Sequence, residues 1–200
     1  MLTKNQVEVL NLFRKNIFLK SSILELKNTL NKTSYSRIFD AVKELEKNKV
    51  LKIDKIGHTN LVYSDLNSQF IIQASYLDED ESMNSNIPNY EKIMNIPELS
   101  NYLIIVKSKE KAILKRGSEQ ELVIVIADLD KSMHVQELAE KALFLVYPKV
   151  NISVFKEKEI IEMLLEGKDM EMFKSHTILK NTSKYYELLK EAIKQGFDKT

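Results

Sequence analysis

Apolar residues recur at helical spacing through the first 45 positions of the chain. This spacing predicts a helix over residues 3 to 16, a second that begins after Ser22 as its cap, and a third that begins near Thr33 or Ser34. The inward-facing residues are Val7, Leu10 and Phe13 in the first helix, Ile23, Leu26 and Leu30 in the second, and Ile38, Ala41, Val42 and Leu45 in the third. Two helices joined by a short polar turn predict a helix-turn-helix.

Alternating apolar and polar residues replace the helical pattern in VLKIDKIGHTNLVYS, residues 50 to 64. This alternation predicts two short strands around Gly57, which can supply the positive φ that a hairpin tip requires. Three helices followed by a hairpin is the element order of a winged helix. The stretch SYSRIFDAVKELEKNKVLKIDKIGHTNLVYS also resembles the winged helix-turn-helix domains of prokaryotic transcription regulators, over about 65 residues. It departs from them at Asn48-Lys49, where the family often has glycine, and Asn48 is expected to end the third helix.

Strands and helices alternate in the second half of the chain, which predicts an α+β protein of two domains. The joint is predicted from composition, because LDEDESMNSNIPN has four consecutive acids followed by small polar residues and a proline. The predicted parts are a DNA-binding domain over residues 1 to 76, a linker over 77 to 89 and a second domain over 90 to 200. In the second domain we expect strands at 102–106, 121–127 and 150–155, and helices at about 90–100, 131–146, 157–166, 169–179 and 183–195. Just before the linker, SQFIIQASYL could form a helix or a strand, and it is a candidate dimerisation segment.

The charge is unevenly divided along the chain. Residues 1 to 64 carry 12 basic and 6 acidic residues, whereas residues 65 to 200 carry 18 and 23. A basic first part favours a polyanionic partner, although ordinary surface charge would give the same count. The chain has no cysteine and no continuous apolar stretch near the roughly 20 residues that span a bilayer, so we expect a cytoplasmic protein without membrane contact.

The third helix and the hairpin tip provide the candidate DNA contacts. On a helical wheel, Arg37 and Lys43 lie opposite the buried face of the third helix, and hydroxyl residues precede or begin it. A solvated helix face and a polar turn would share this pattern, and winged helices also serve purely as protein-interaction modules. The predicted double-stranded DNA contacts are Lys32, Thr33, Ser34, Ser36, Arg37, Lys43, Lys55, His58, Thr59 and Asn60.

The stretch VKSKEKAILKRGSEQELVIVIAD, residues 106 to 128, resembles the signature of the minimal nucleotidyltransferase fold. In that family one strand ends in Gly-Ser and the next begins with Asp-x-Asp. The resemblance extends over about 95 residues and places Lys107-Ser108 on the Gly-Ser pair, Glu119 and Glu121 on the two aspartates, and Asn151 on a third carboxylate.

These substitutions weaken the site that the resemblance implies. Nucleotidyl transfer uses Mg²⁺ held by carboxylates at positions i and i+2 of a strand. Glu is one methylene longer than Asp, and the amide of Asn151 is a poor Mg²⁺ ligand. The side chain of Lys107 stands where glycine lets the backbone approach a triphosphate. We therefore expect Ser108, Glu119, Glu121 and Asn151 to be the remnant of a site, without a metal or other cofactor unless the activity survives.

The sequence predicts a DNA-binding transcriptional regulator that forms a homodimer. Its second domain is expected to be a nucleotidyltransferase-like pseudoenzyme that dimerises, senses a ligand or binds a protein partner. A nucleotide or other phosphate-bearing ligand has candidate contacts at Lys107, Lys111, Lys115 and Arg116. The alternatives are an active Mg²⁺-dependent nucleotidyltransferase that holds its substrate with the winged domain, and a toxin-antitoxin partner.

Overall fold

The computed structural model describes residues 2–57, 59–107, 120–127, 131–168, 173 and 176–197. This part of the chain combines α-helices with two β-sheets, an α+β arrangement. By internal contacts it divides into two compact units between Leu77 and Asp78. Within the described residues, no helix is both long and apolar enough to cross a membrane.

The first unit begins with the three predicted helices, α1 (Lys4–Lys15), α2 (Ile23–Thr29) and α3 (Tyr35–Lys47). Ser22 caps α2 as predicted: its side chain accepts a hydrogen bond from the Glu25 backbone, and Glu25 accepts one from the Ser22 N–H at 2.7 Å. Asn48 ends α3, also as predicted, and its side chain donates to the Glu44 carbonyl at 2.8 Å. The buried core of this unit includes the predicted residues Leu10, Phe13, Ile23, Leu26, Ile38, Ala41, Val42 and Leu45. Val9 is buried as well, whereas Val7 and Leu30, which were also predicted to face inward, are half-buried.

A hairpin follows α3, as the alternation of apolar and polar residues predicts. Strand β2 (Lys52–Ile56) pairs antiparallel with β3 (Thr59–Tyr63), and Ile56 faces Thr59, so the loop holds two residues. Gly57 supplies a φ of +60° at this turn. The two-residue strand β1 (Ser21–Ser22) pairs with β3 and completes a sheet in the order β1-β3-β2.

The stretch predicted as a linker is mostly helical. Helix α4 spans Ser68–Asn84, so residues 68–77, for which the sequence left helix and strand open, are helical. The first of the four acidic residues, Asp78, is buried: it is 8% exposed and accepts a hydrogen bond from the Tyr186 hydroxyl. Thr182 donates to the Glu79 carboxylate at 3.2 Å. The predicted domain boundaries themselves stay a prediction.

The second unit is built on a four-stranded sheet in the order β6-β5-β4-β7. Its strands are β4 (Leu103–Lys107), β5 (Gln120–Ile126), β6 (Val150–Lys156) and β7 (His176–Lys180). Only β5 and β6 are parallel among these pairs. The helices are α5 (Tyr90–Met94), a 3-10 turn (Pro97–Leu99), α6 (Ser132–Ala142), α7 (Glu157–Leu165) and α8 (Thr182–Lys194). One face of the sheet packs on α5 and α6 through Ile104, Val106, Leu122, Ile124, Ile93, Val135 and Ala139.

Two predicted helices differ from the structure. The helix expected over 131–146 ends at Ala142, with Leu143 as its C-cap. The end of the helix expected over 169–179 is strand β7, which pairs with the buried strand β4. A five-residue segment rich in β-branched residues gains more from that pairing than from one helical turn.

We predict that the stability of the second unit falls at alkaline pH because of Tyr185. Burial, aided by the nearby carboxylate of Asp78, raises the pKa of this phenol. A raised folded-state pKa means that the stabilisation is complete below the unfolded pKa of about 10 and is lost as the pH rises above it. We expect the free energy of unfolding to fall by up to about 1.4 kcal/mol per pH unit more steeply in the wild type than in Tyr185→Phe above that pH. Urea titrations from pH 8 upward check this, and parallel profiles for the two proteins would contradict it.

Candidate nucleic-acid interface

The exposed face of α3 presents one basic side chain that has no ion pair in the described part of the chain. Arg37 lies in the first turn of α3, is exposed, and donates only its backbone N–H, to Ser34 Oγ at 3.5 Å. The first helical turn contains no acidic residue. The partial positive charge of the helix amino terminus is therefore left without a local carboxylate, which favours an anion there.

Hydroxyl groups surround this first turn of α3. Ser34 is its N-cap, and its Oγ lies 3.0 Å from Ser36 Oγ. Thr33 and Ser36 are exposed and Ser34 is half-buried. The structure thus places the predicted residues Thr33, Ser34, Ser36 and Arg37 together at one end of the helix. Hydroxyl and guanidinium donors in one cluster match the acceptor oxygens of phosphate and base edges.

Two other predicted basic residues are already engaged. Lys32 Nζ lies 2.6 Å from Glu8 Oε2 on α1, and Lys43 Nζ lies 2.8 Å from Glu46 Oε2 one turn further along α3. The Lys43–Glu46 pair is largely exposed, and such pairs contribute about 0–1 kcal/mol, so a phosphate can replace that carboxylate at little cost. The Lys32–Glu8 pair is half-buried. Both lysines nevertheless have a competing partner that Arg37 lacks.

The hairpin carries the remaining predicted contacts. Lys55 and Thr59 are exposed and Asn60 is half-buried, and Lys55 faces Asn60 across the two strands. The predicted contact His58 lies outside the described residues. Sequence reasoning missed Ile56, which is 63% exposed beside the turn. The exposure of Ile56 could have been predicted from the sequence, because an apolar residue immediately before a hairpin glycine lies at the tip, where no core can cover it.

A second cluster of polar residues crosses the sheet of the second unit. Lys107 on β4 faces Glu121 on β5 and His176 on β7, and Glu121 faces Asn151 on β6. Lys107 Nζ lies 3.3 Å from Glu121 Oε2. Three residues that the nucleotidyltransferase resemblance selects are therefore neighbours in one row, and His176, which it does not select, completes that row. A metal ion at the carboxylate of Glu121 would have to displace the ammonium of Lys107.

Several predicted residues of this second cluster lie outside the described residues, namely Ser108, Lys111, Lys115, Arg116 and Glu119. Their proximity to Glu121 and Asn151 stays a prediction. Among the residues that are described, no group of three His, Asp or Glu side chains is placed to hold a metal ion.

No protein-family model matches the chain, and no curated protein matches it. Among solved structures, the chain is similar to one described as "Structure of TrmBL2, an archaeal chromatin protein, shows a novel mode of DNA binding". The two are 16% identical, the match covers 97% of this chain and 92% of that chain, and the TM-score is 0.29. A similarity at that level establishes no common function.

Proposed function

We propose that the protein binds double-stranded DNA through its first unit, as a homodimeric winged helix-turn-helix regulator of transcription. The observation that carries this proposal is the exposed guanidinium of Arg37, which lies at the amino end of α3 among the hydroxyls of Thr33, Ser34 and Ser36. In this proposal α3 enters the major groove and the β2–β3 hairpin contacts the backbone beside it.

The charge of the first 64 residues supports the same proposal. Their 12 basic residues exceed the acidic ones by six, whereas residues 65 to 200 are acidic overall. Attraction to phosphate is the largest sequence-independent contribution to DNA binding, while Arg37 would contribute the contacts that distinguish bases.

For the second unit we propose an association or ligand-binding role without catalysis. The ion pair between Lys107 and Glu121 supports this, because it occupies a carboxylate that metal-dependent transfer would need. Catalysis by an active nucleotidyltransferase would require Glu121 to bind the metal in place of Lys107.

Titration of the intact protein against a random-sequence duplex at several salt concentrations tests the proposed function. Binding is expected to weaken as a power of the salt concentration, since each phosphate contact releases counterions. Absence of binding at the lowest salt concentration would rule the proposal out.

Replacing Lys55 with alanine should reduce DNA affinity by a similar factor for every duplex sequence. A hairpin lysine that contacts phosphate contributes about one unit to the slope of log affinity against log salt. We therefore expect that slope to fall by about one in Lys55→Ala. Lys92→Ala is the matched control, because it removes the same charge from an exposed position on α5. An equal change of slope in both variants would contradict a specific contact at Lys55.

A further inference from the structure

Strand β6 leaves one edge of the four-stranded sheet without a neighbouring strand among the described residues. It is seven residues long, contains no proline or glycine, and has a single charged residue, Lys156, at its end. Natural proteins shield edge strands with charges, proline or bulges, because the unpaired backbone groups are a template for another strand. The residues of β6 that precede Lys156 include no charged side chain and no proline.

The hydrogen-bond pattern shows which backbone groups of β6 face outward. The Lys149 carbonyl accepts from the Gln120 N–H at 2.8 Å, and Gln120 is the register partner of Val150. Residues of a parallel strand direct their backbone groups alternately to one side and the other. The backbone groups that bond to β5 are therefore those of Asn151, Ser153 and Phe155. The backbone groups that face outward are those of Val150, Ile152, Val154 and Lys156.

We propose that β6 pairs antiparallel with β6 of a second copy of this chain, about a two-fold axis at Ser153. This register pairs all four outward-facing residues, with Val150 opposite Lys156 and Ile152 opposite Val154. Moving the axis by one residue in either direction leaves one outward-facing residue unpaired. The four-stranded sheets of the two copies then join into one sheet of eight strands.

The side chains of β6 suit pairing with themselves. Ile152 and Val154 are only partly buried against the core of the second unit, and in this register they form β-branched cross-strand pairs. Ser153 is exposed and meets its own copy, where a small uncharged side chain avoids both collision and repulsion. No two like charges are opposed.

Exposed apolar residues lie next to this edge in the sequence. The side chains of Phe144, Leu145 and Tyr147, which lie three to six residues before the start of β6, are 81%, 87% and 72% exposed. In the antiparallel arrangement, the chain that enters β6 lies beside the residues that follow β6 in the second copy. Large exposed apolar side chains beside a strand edge are characteristic of an interface between copies.

A single cysteine gives a direct test, because the chain contains none of its own. Opposed residues that share no ladder hydrogen bond have Cα atoms about 4.5 Å apart, within the range of about 4.4–6.8 Å that a disulfide spans. Full-length Ser153→Cys should therefore cross-link into a dimer at least about tenfold faster than Ser183→Cys under mild oxidation. Ser183 is an exposed serine of α8 and serves as the control. Equal rates would overturn the proposed axis.

Charged variants test the same contact by light scattering without DNA. Ser153→Glu and Ser153→Lys should each weaken the dimer by about fivefold or more, and an equal mixture of the two should restore it as a heterodimer. Circular dichroism verifies that each variant is folded. A monomeric wild type would overturn the proposal. So would a dimer that tolerates both Ser153 variants but is lost in Tyr76→Glu, which would place the interface on the exposed apolar residues of α4.

Discussion

Arg37→Ala is expected to weaken binding to duplex DNA by about 1–3 kcal/mol, or roughly fivefold to 150-fold at fixed salt concentration. In the described structure the guanidinium of Arg37 is not paired with a carboxylate, as the ammonium of Lys43 is. All its N–H donors are therefore available to a base edge or a phosphate. Fluorescence anisotropy with a labelled duplex measures the change.

Lys43→Ala is the matched control for Arg37→Ala. It removes one positive charge from the same helix, but from a side chain that already pairs with Glu46. We expect a smaller loss of affinity there, since part of the phosphate attraction is offset by breaking the pair. If both variants bind as tightly as the wild type, α3 is not the helix that contacts DNA.

Asp78→Ala should lower the free energy of unfolding by about 2 kcal/mol, since it removes a charged acceptor and leaves the buried hydroxyl of Tyr186 without that partner. A flexible acidic linker would tolerate this change with no loss. Urea unfolding measures the effect, with Asp80→Ala as a control at an exposed acid of the same helix, for which we expect a change within about 0.5 kcal/mol.

Tyr186→Phe removes the donor of the same hydrogen bond. Because the two residues interact directly, their effects should not add, and the double variant should lose less than the sum of the single losses. Additive losses, or an Asp78→Ala protein as stable as the wild type, would contradict a stabilising role for this contact.

The elements of the first unit could be predicted from the sequence because local rules determine them. Helical spacing, the hydroxyl of Ser22, the amide of Asn48 and the positive φ of Gly57 all act within a few residues of the feature they define. The helical state of the acidic stretch could not be predicted in this way. Its stabilising partners, Thr182 and Tyr186, lie more than one hundred residues away along the chain.

The candidate sites show the same limit. The helical wheel correctly places Arg37 on the exposed face of α3, but it cannot reveal that Lys32 pairs with Glu8 on another helix. Similarly, a strand pattern identifies Glu121, whereas its position between Lys107 and Asn151 depends on which strands become neighbours. Pairing partners are a property of the folded chain and leave little trace in any one segment.

Helix α4 has a practical consequence for dividing this protein into parts. The contact boundary between Leu77 and Asp78 falls inside a continuous helix, where backbone hydrogen bonds shield the peptide links from proteases. Limited proteolysis should therefore spare this boundary. A fragment that begins at Asp78 would also start with four unsatisfied helix N–H groups, so an isolated second unit should be expressed with the preceding turns of α4 included.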